Sequence, residues 1–243
     1  MSLTKNNFEF IHFETIDSTN NYAKVLSDKN QTNKIIIADT QTAGRTTKKQ
    51  CWISPKGNLY FSIILSLDNE KNLPEYSFIS ALSIAESIKQ ISQNRNTIKI
   101  KWPNDILLNK QKLCGILIEK ENDKVIIGIG VNIISSPDKN LTRYPTTNLK
   151  VNNIDTTPKK LAELILEKLI DNINLRKTDG FNKIISKIMP YMYKFNETIF
   201  IETNGKKLSG TFCGLNETGA LLLKTDNNTL VVFSGEMTKE NFI

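Results

Sequence analysis

Residues 98–133 constrain the fold more tightly than any other part of the chain. IKIKW (98–102), ILLN (106–109), KLCGILIEKE (112–121) and KVIIGIGVNI (124–133) are strand-length apolar runs separated by two or three residues each. Asn109-Lys110-Gln111 and Asn122-Asp123 supply turn chemistry between them. Connections this short join neighbouring antiparallel strands, so the segment predicts a meander and a mostly antiparallel sheet.

Helix signals flank this meander. FEFIHFETI (8–16) is dense in aromatic and β-branched residues, and Asp17-Ser18 then offers a cap for a helix over NNYAKVLSD. KIIIADT (34–40) and LYFSIILSL (59–67) are two further strands, and YSFISALSIAESIKQI repeats apolar residues at helical spacing behind Pro74. Residues 134–156 are polar and irregular, and LAELILEKLIDNINL (161–175) and FNKIISKIM (181–189) predict two amphipathic helices. The character changes at Met189-Pro190: ETIFIET, KLSGTFCGL, GALLLKT and TLVVFSG are short strands separated by Gly- and Asn-containing turns, as in a small barrel. The expected fold class is α+β, with a mixed, mostly antiparallel sheet and flanking helices in residues 1–190 and a small β-barrel in 191–243. The boundary between them is expected to be packed.

Composition narrows the setting. A chain of 243 residues with 39% apolar and 23% charged residues is an ordinary folded protein. Its net charge of +7 comes from 28 Lys and only four Arg, and residues 191–243 carry a net −1, leaving +8 on the first 190. A lysine bias in composition accounts for the total more simply than a nucleic-acid footprint, while the distribution points to anionic ligands of the longer part. Cys51, Cys114 and Cys213 lie far apart and outside CxxC spacing, so neither a disulfide framework nor a zinc site is indicated. With no signal-peptide pattern and no run of 18 apolar residues, a cytoplasmic protein away from membranes is expected.

Two segments carry candidate chemistry. The first, residues 41–58, is unusually long for an internal connection and holds Arg45, Lys48, Lys49 and Lys56 with no acidic residue. It reads either as a solvated basic loop or as one that closes on a phosphate or carboxylate. Arg45 favours the latter, because a guanidinium recognises an oxyanion bidentately and a lysine cannot. Trp52 reads as a core aromatic at a strand start or as a platform for a planar base. The second segment is Lys101-Trp102-Pro103-Asn104-Asp105, which breaks a strand and leaves an amide and a carboxylate at the break. Lys112 then opens an otherwise apolar strand, as a snorkelling surface residue or as a cation aimed into a pocket.

The order Ser18-Thr19-Asn20, Gln41, Ala43-Gly44-Arg45, Asn58-Leu59-Tyr60, KWPND (101–105), Lys112-Leu113-x-Gly115-Ile116-Leu117 and Gly128-Ile129-Gly130-Val131-Asn132 resembles the biotin–protein ligases. Gly210, Gly214, Gly219 and Ser234-Gly235-Glu236 resemble that family's C-terminal SH3-like barrel, so the likeness runs through the whole chain. The resemblance implies a class II synthetase-like catalytic fold and biotin–[acetyl-CoA-carboxylase] ligase chemistry. Biotin's carboxylate attacks the α-phosphate of ATP, and an acceptor lysine then takes biotin from biotinyl-5′-AMP. No enzyme nucleophile is needed, which suits a chain whose one histidine, His12, makes a hydrolase triad improbable.

Carried over by position, Ser18, Thr19, Asn20 and Gln41 are implied at the biotin ureido end, with Gly44 in the adjoining loop and Gly115 and Leu117 as a strand wall. Arg45 and Lys112 are implied as the catalytic cations facing carboxylate and phosphate. Thr46, Thr47, Trp52, Lys101, Asn104, Gly130 and Asn132 are implied on the ATP or adenylate side, Trp52 beside adenine, with Gly128 and Gly130 allowing close backbone approach. Mg2+ is implied with ATP, without assigned ligands. The implied acceptor is a biotin carboxyl carrier domain, and relatives include monomers and homodimers.

The chain departs from the family where its loop usually reads Gly-Arg-Gly-Arg-x-Gly-Arg. Here Gly44-Arg45-Thr46-Thr47-Lys48-Lys49-Gln50 lacks two glycines and two arginines, which predicts weaker retention of the adenylate. Lipoate–protein ligases share the chemistry, but their Gly-Gly-Gly and His-Asp motifs are missing. A biotin-responsive repressor would need a DNA-binding domain of about 60 residues ahead of Ser18, so specific nucleic-acid binding is not expected.

Overall fold

The computed structural model describes residues 3–47, 50–67, 69, 73–142 and 144–242. Lys48 and Lys49, two of the loop cations singled out above, lie outside the described residues. Two sheets organise the molecule. The larger has seven strands in the order β1-β2-β3-β7-β6-β5-β4. They are β1 (Glu9–Ile16), β2 (Lys34–Gln41), β3 (Leu59–Ser66), β4 (Ile98–Lys101), β5 (Asp105–Leu108), β6 (Gln111–Glu121) and β7 (Lys124–Val131). β4 to β7 form the expected meander, and β1 pairs parallel with β2 across helix α1 (Thr19–Asp28).

Helices cover both faces of this sheet, which is why β3 is apolar along most of its length rather than alternating. α1 packs on one face, with Ala23 and Leu26 against Ile36, Ile64 and Ile126. α2 (Leu73–Ile91) and α3 (Pro158–Asp179) lie on the other, over Phe61, Ile63, Ile127 and Ile129. Ser18 caps α1 by accepting from the Asn21 amide, and Thr157 caps α3 ahead of Pro158, as their residue types favour. No helix among the described residues is long and apolar enough to cross a membrane.

After α4 (Phe181–Ile188) the chain runs directly against the first sheet, the Tyr193 amide donating to the Ile100 carbonyl (2.9 Å). It then builds the second, five-stranded antiparallel sheet, β11-β10-β9-β8-β12. Its strands are β8 (Thr198–Thr203), β9 (Lys206–Leu215), β10 (Leu221–Lys224), β11 (Thr229–Val232) and β12 (Glu236–Met237). One hydrophobic core spans both sheets, taking in Ile199, Phe212 and Leu221 alongside α2 and α3. The Trp102 indole of the KWPND segment donates to the Gly219 carbonyl (3.2 Å). At Gly219 φ is +81° and a Cβ would lie 2.4 Å from the Phe78 ring, so only glycine permits the approach.

Candidate active site

Side chains alternate across a strand, so the α1 face of the sheet is written by every second residue. On that face Tyr60 and Ser62 of β3 stand beside Gly130 and Gly128 of β7, which pair with Gly115 and Leu117 of β6. Three of these positions lack side chains, and beyond the N-terminus of α1 they leave a trough. A cavity of about 600 Å3 opens over this floor, bounded by the 41–58 loop, the β4–β5 turn and residues 137–146, with Gly235-Glu236 of the second sheet at its rim.

At one end the N-terminus of α1 presents Ser18, Thr19 and Asn20, all buried yet lining the cavity. Gln41 accepts from the Thr19 amide (2.9 Å) and donates to the Ser54 hydroxyl (3.1 Å). The Ser62 hydroxyl donates to Asn20 Oδ1 (2.5 Å), and Asn20 Nδ2 donates to Glu119 (2.8 Å). Asn20 lies so close over Gly128 that a Cβ there would meet its Oδ1 at 2.2 Å. Glu119 also takes Lys24 Nζ (2.8 Å) and the Arg45 guanidinium (2.7 Å), which bonds Asn21 as well. Burial would raise the Glu119 carboxyl, but these three donors outweigh it and hold it below the usual range.

At the start of β5, beside β6, Asp105 receives two ammonium groups. Lys112 Nζ lies 2.6 Å from one oxygen and Lys101 Nζ 2.9 Å from the other, with Lys101 only 2% exposed. Burial pushes the Asp105 carboxyl up, and the two lysines more than reverse this, holding it at about 2. The Asp105 and Glu119 clusters share one pattern: a single carboxylate between two cations, leaving a net positive charge. Asp105 pairs with Gly115 of β6, so the two carboxylates are separated by four positions of that strand, about 13 Å.

Other expected residues are also gathered here, with particular tasks. Trp52 does not stand up as a free platform: its ring lies on the floor, where a Cβ on Gly130 would come 2.6 Å from Nε1 and one on Gly115 2.9 Å from the ring. Lys112 Nζ is 5.5 Å from the indole centroid, and the indole nitrogen is buried without a partner among the described residues. The loop that carries Trp52 folds on itself, its amide donating to the Gly44 carbonyl (2.8 Å). Gly44 does not line the cavity; a Cβ there would sit 2.8 Å from the Trp52 carbonyl, so its part is to let the loop close.

Thr46 and Thr47 line the mouth, where Asn104 Nδ2 donates to Thr47 (3.1 Å) and to the Ile116 carbonyl (2.8 Å). Asn132 lines the cavity too, but its amide donates to the Thr147 carbonyl (3.0 Å) and fixes the following loop.

The residue-level expectation missed Glu119, Ser62 and Tyr144; it marked Asp105 only as a carboxylate at a strand break and Glu236 only as part of the C-terminal likeness, neither with a role in the site. Glu119 was accessible from alternation, since it follows Gly115 and Leu117 at period two. Tyr144 and Glu236 arrive through tertiary contacts and carry no local signal.

Residues 12–132 match the biotin/lipoate A/B protein ligase family and residues 194–239 the biotin protein ligase C-terminal domain. The chain belongs to the biotin protein ligase family. It is 27% identical to the biotin–[acetyl-CoA-carboxylase] ligase of Paracoccus denitrificans over 91% of this chain and 96% of that protein. It is also 27% identical to the bifunctional ligase/repressor BirA of Escherichia coli, over 92% of this chain and 71% of BirA. A biotin protein ligase from Aquifex aeolicus, solved in complex with biotin and ATP, superposes with a TM-score of 0.85 at 27% identity, covering 95% of this chain and 97% of that one. Within the biotin protein ligase family, then, this chain keeps both the large mixed sheet and the small C-terminal one.

Proposed function

We infer that the chain is a biotin–[acetyl-CoA-carboxylase] ligase, which activates biotin with ATP to biotinyl-5′-AMP and passes it to a lysine of a biotin carboxyl carrier domain. The observation that carries the reading is the make-up of the trough. Neutral donors and acceptors stand at one end, a glycine floor runs between, and a doubly cationic cluster stands at the other. Such a sequence of surfaces suits a ligand with an uncharged polar head, an apolar chain and a terminal carboxylate.

In the first step the carboxylate oxygen forms a bond to the α-phosphorus as the bond to pyrophosphate breaks. Both reactants are anions, so the protein's task is to hold them together and stabilise the added charge. Lys112, fixed by Asp105 at the end of the trough, is assigned to the pentavalent phosphate and afterwards to the acyl oxyanion. Lys101 is assigned to the phosphates beside it. Ser18, Thr19, Asn20 and Gln41 are assigned to the ureido group, with Gly115, Leu117, Gly128 and Gly130 along the chain of the ligand. In the second step the acceptor amine bonds to the acyl carbon, AMP leaves, and the nitrogen loses a proton.

Arg45 is assigned to the ligand anion, which must then compete with Glu119 for it. Thr46, Thr47 and Asn104 border the nucleotide side, and Trp52, seated on the glycine floor, is assigned to the wall of the ligand chain rather than to adenine. Mg2+ is taken to arrive with the substrate as MgATP. No cluster of three potential metal-ligating side chains occurs among the described residues, and Asp105 and Glu119 are already matched by cations. Residues 1–190 make up the catalytic part and 191–243 a module packed against it. Three free cysteines suit a reducing cytoplasm.

The test is biotin-dependent ATP–pyrophosphate exchange, run beside lipoate. Exchange with biotin and not lipoate is expected; the opposite pattern would overturn the reading.

A further inference from the structure

A buried ammonium needs partners for its charge, and Lys101 has few. It is 2% exposed, and its described partners are the Asp105 carboxylate, which it shares with Lys112, and the ring of Tyr144, whose centroid is 4.5 Å from Nζ. Tyr144 is a loop residue far from Lys101 in sequence, and the loop does not hold it alone. Its hydroxyl donates to the Met237 carbonyl (2.5 Å) and lies 3.0 Å from Glu236 Oε1, both in β12 of the second sheet. Its ring packs on Phe242 at 4.7 Å between centroids, and Phe242 stacks on Tyr193 at 5.6 Å. A chain of contacts thus runs from the second sheet through Tyr144 to Lys101, then Asp105 and Lys112.

We propose that Tyr144 is a positioning residue for the adenylation step: clamped by β12, its π face holds the Lys101 ammonium where it meets the nucleotide phosphates and keeps Asp105 shared between the two lysines. The proposal rests on the ligase reading above. The aromatic face suits the task because it attracts a cation without being a second carboxylate. Another carboxylate at this position would cancel the positive charge that the phosphates require. The second sheet is then part of the catalytic apparatus, through the seat that it provides for one ring.

The experiment compares wild type, Tyr144→Leu and Tyr144→Phe in biotin-dependent ATP–pyrophosphate exchange, with biotin and ATP titrated separately and folding checked by circular dichroism. Tyr144→Leu should lower kcat/KM for ATP about tenfold, with KM for biotin within about twofold of wild type. Tyr144→Phe, which keeps the ring but loses the hydroxyl bonds to β12, should recover part of that loss, the remainder measuring the clamp. In a Lys101→Met background, Tyr144→Leu should cost less than about twofold more, because its effect runs through Lys101. If Tyr144→Leu does not fold, Tyr144→Met keeps side-chain bulk without a π face and carries the same expectation. Equal kinetics for Leu and Phe variants, equal losses toward biotin and ATP, or a full effect in the Lys101→Met background would overturn the proposal while leaving the ligase reading intact. A wild-type protein without biotin-dependent exchange would sink both.

Discussion

Replacing Asp105 by asparagine removes one charge and almost no volume, so it isolates what the shared carboxylate does. The folded-state carboxyl ionises at about 2 against 3.8 for the unperturbed group. A depressed carboxyl stabilises the fold at pH values above its unfolded value, and that contribution disappears as pH falls through the folded one. Nearly two pKa units correspond to about 2 kcal/mol at neutral pH, lost between roughly pH 4 and pH 2.

Asp105→Asn should cost more than that, because it leaves Lys101, 2% exposed, and Lys112 without their common counter-ion. Breaking a buried pair in this way typically costs about 3–5 kcal/mol. For a chain of this size each kcal/mol moves the melting temperature by about 2–4 °C, so a fall of about 10 °C at pH 7 is expected by calorimetry. The gap between wild type and variant should shrink as the pH approaches 2. A shift under about 2 °C at pH 7, or a gap independent of pH, would refute the reasoning.

Three other outcomes follow from the site. Gly128→Ala drives a methyl to 2.2 Å from Asn20 Oδ1, which Ser62 and Glu119 hold in place, and should weaken biotin binding at least about tenfold by calorimetry; unchanged affinity would mean that Asn20 is free to move. Lys112→Met should lower the exchange rate by about 10²–10³ while biotin affinity changes only a few-fold, and a pure rise in KM would remove Lys112 from the transition state. Thr47→Arg, which restores a guanidinium at a mouth position where Asn104 now meets Thr47, should slow dissociation of the adenylate in a filter-binding assay. Equal off-rates would sink the idea that this loop holds the intermediate weakly.

The meander, the α1 cap at Ser18 and the helices behind Pro74 and Pro158 were legible because each is a local rule: turn chemistry, periodicity, capping. Gly128 and Gly130 as points of close approach, and Gly115 as part of a strand wall, came from the family likeness. Alternation also puts them on one face, but what lies over that face depends on how α1 and the 41–58 loop fold back. Trp52 shows the limit. Its sequence neighbourhood left core aromatic and base platform both open, and the glycine floor that seats it is supplied by strands more than sixty positions away.

By itself, then, the sequence determined the α+β class, the change of character at 190 and the cationic bias of the longer part, which depend on composition and on patterns within a few residues. Most of the residues around the trough were implied instead by the likeness of the chain's motifs to a known family. Only the tertiary structure decided how those charges are matched: Asp105 between Lys101 and Lys112, Glu119 between Lys24 and Arg45, and Tyr144 held over Lys101 by β12. The physical reason is that a buried charge is governed by whatever lies within a few ångströms, and the neighbours of Lys101 include the ring of a loop residue that a sheet from a distant part of the chain holds in place.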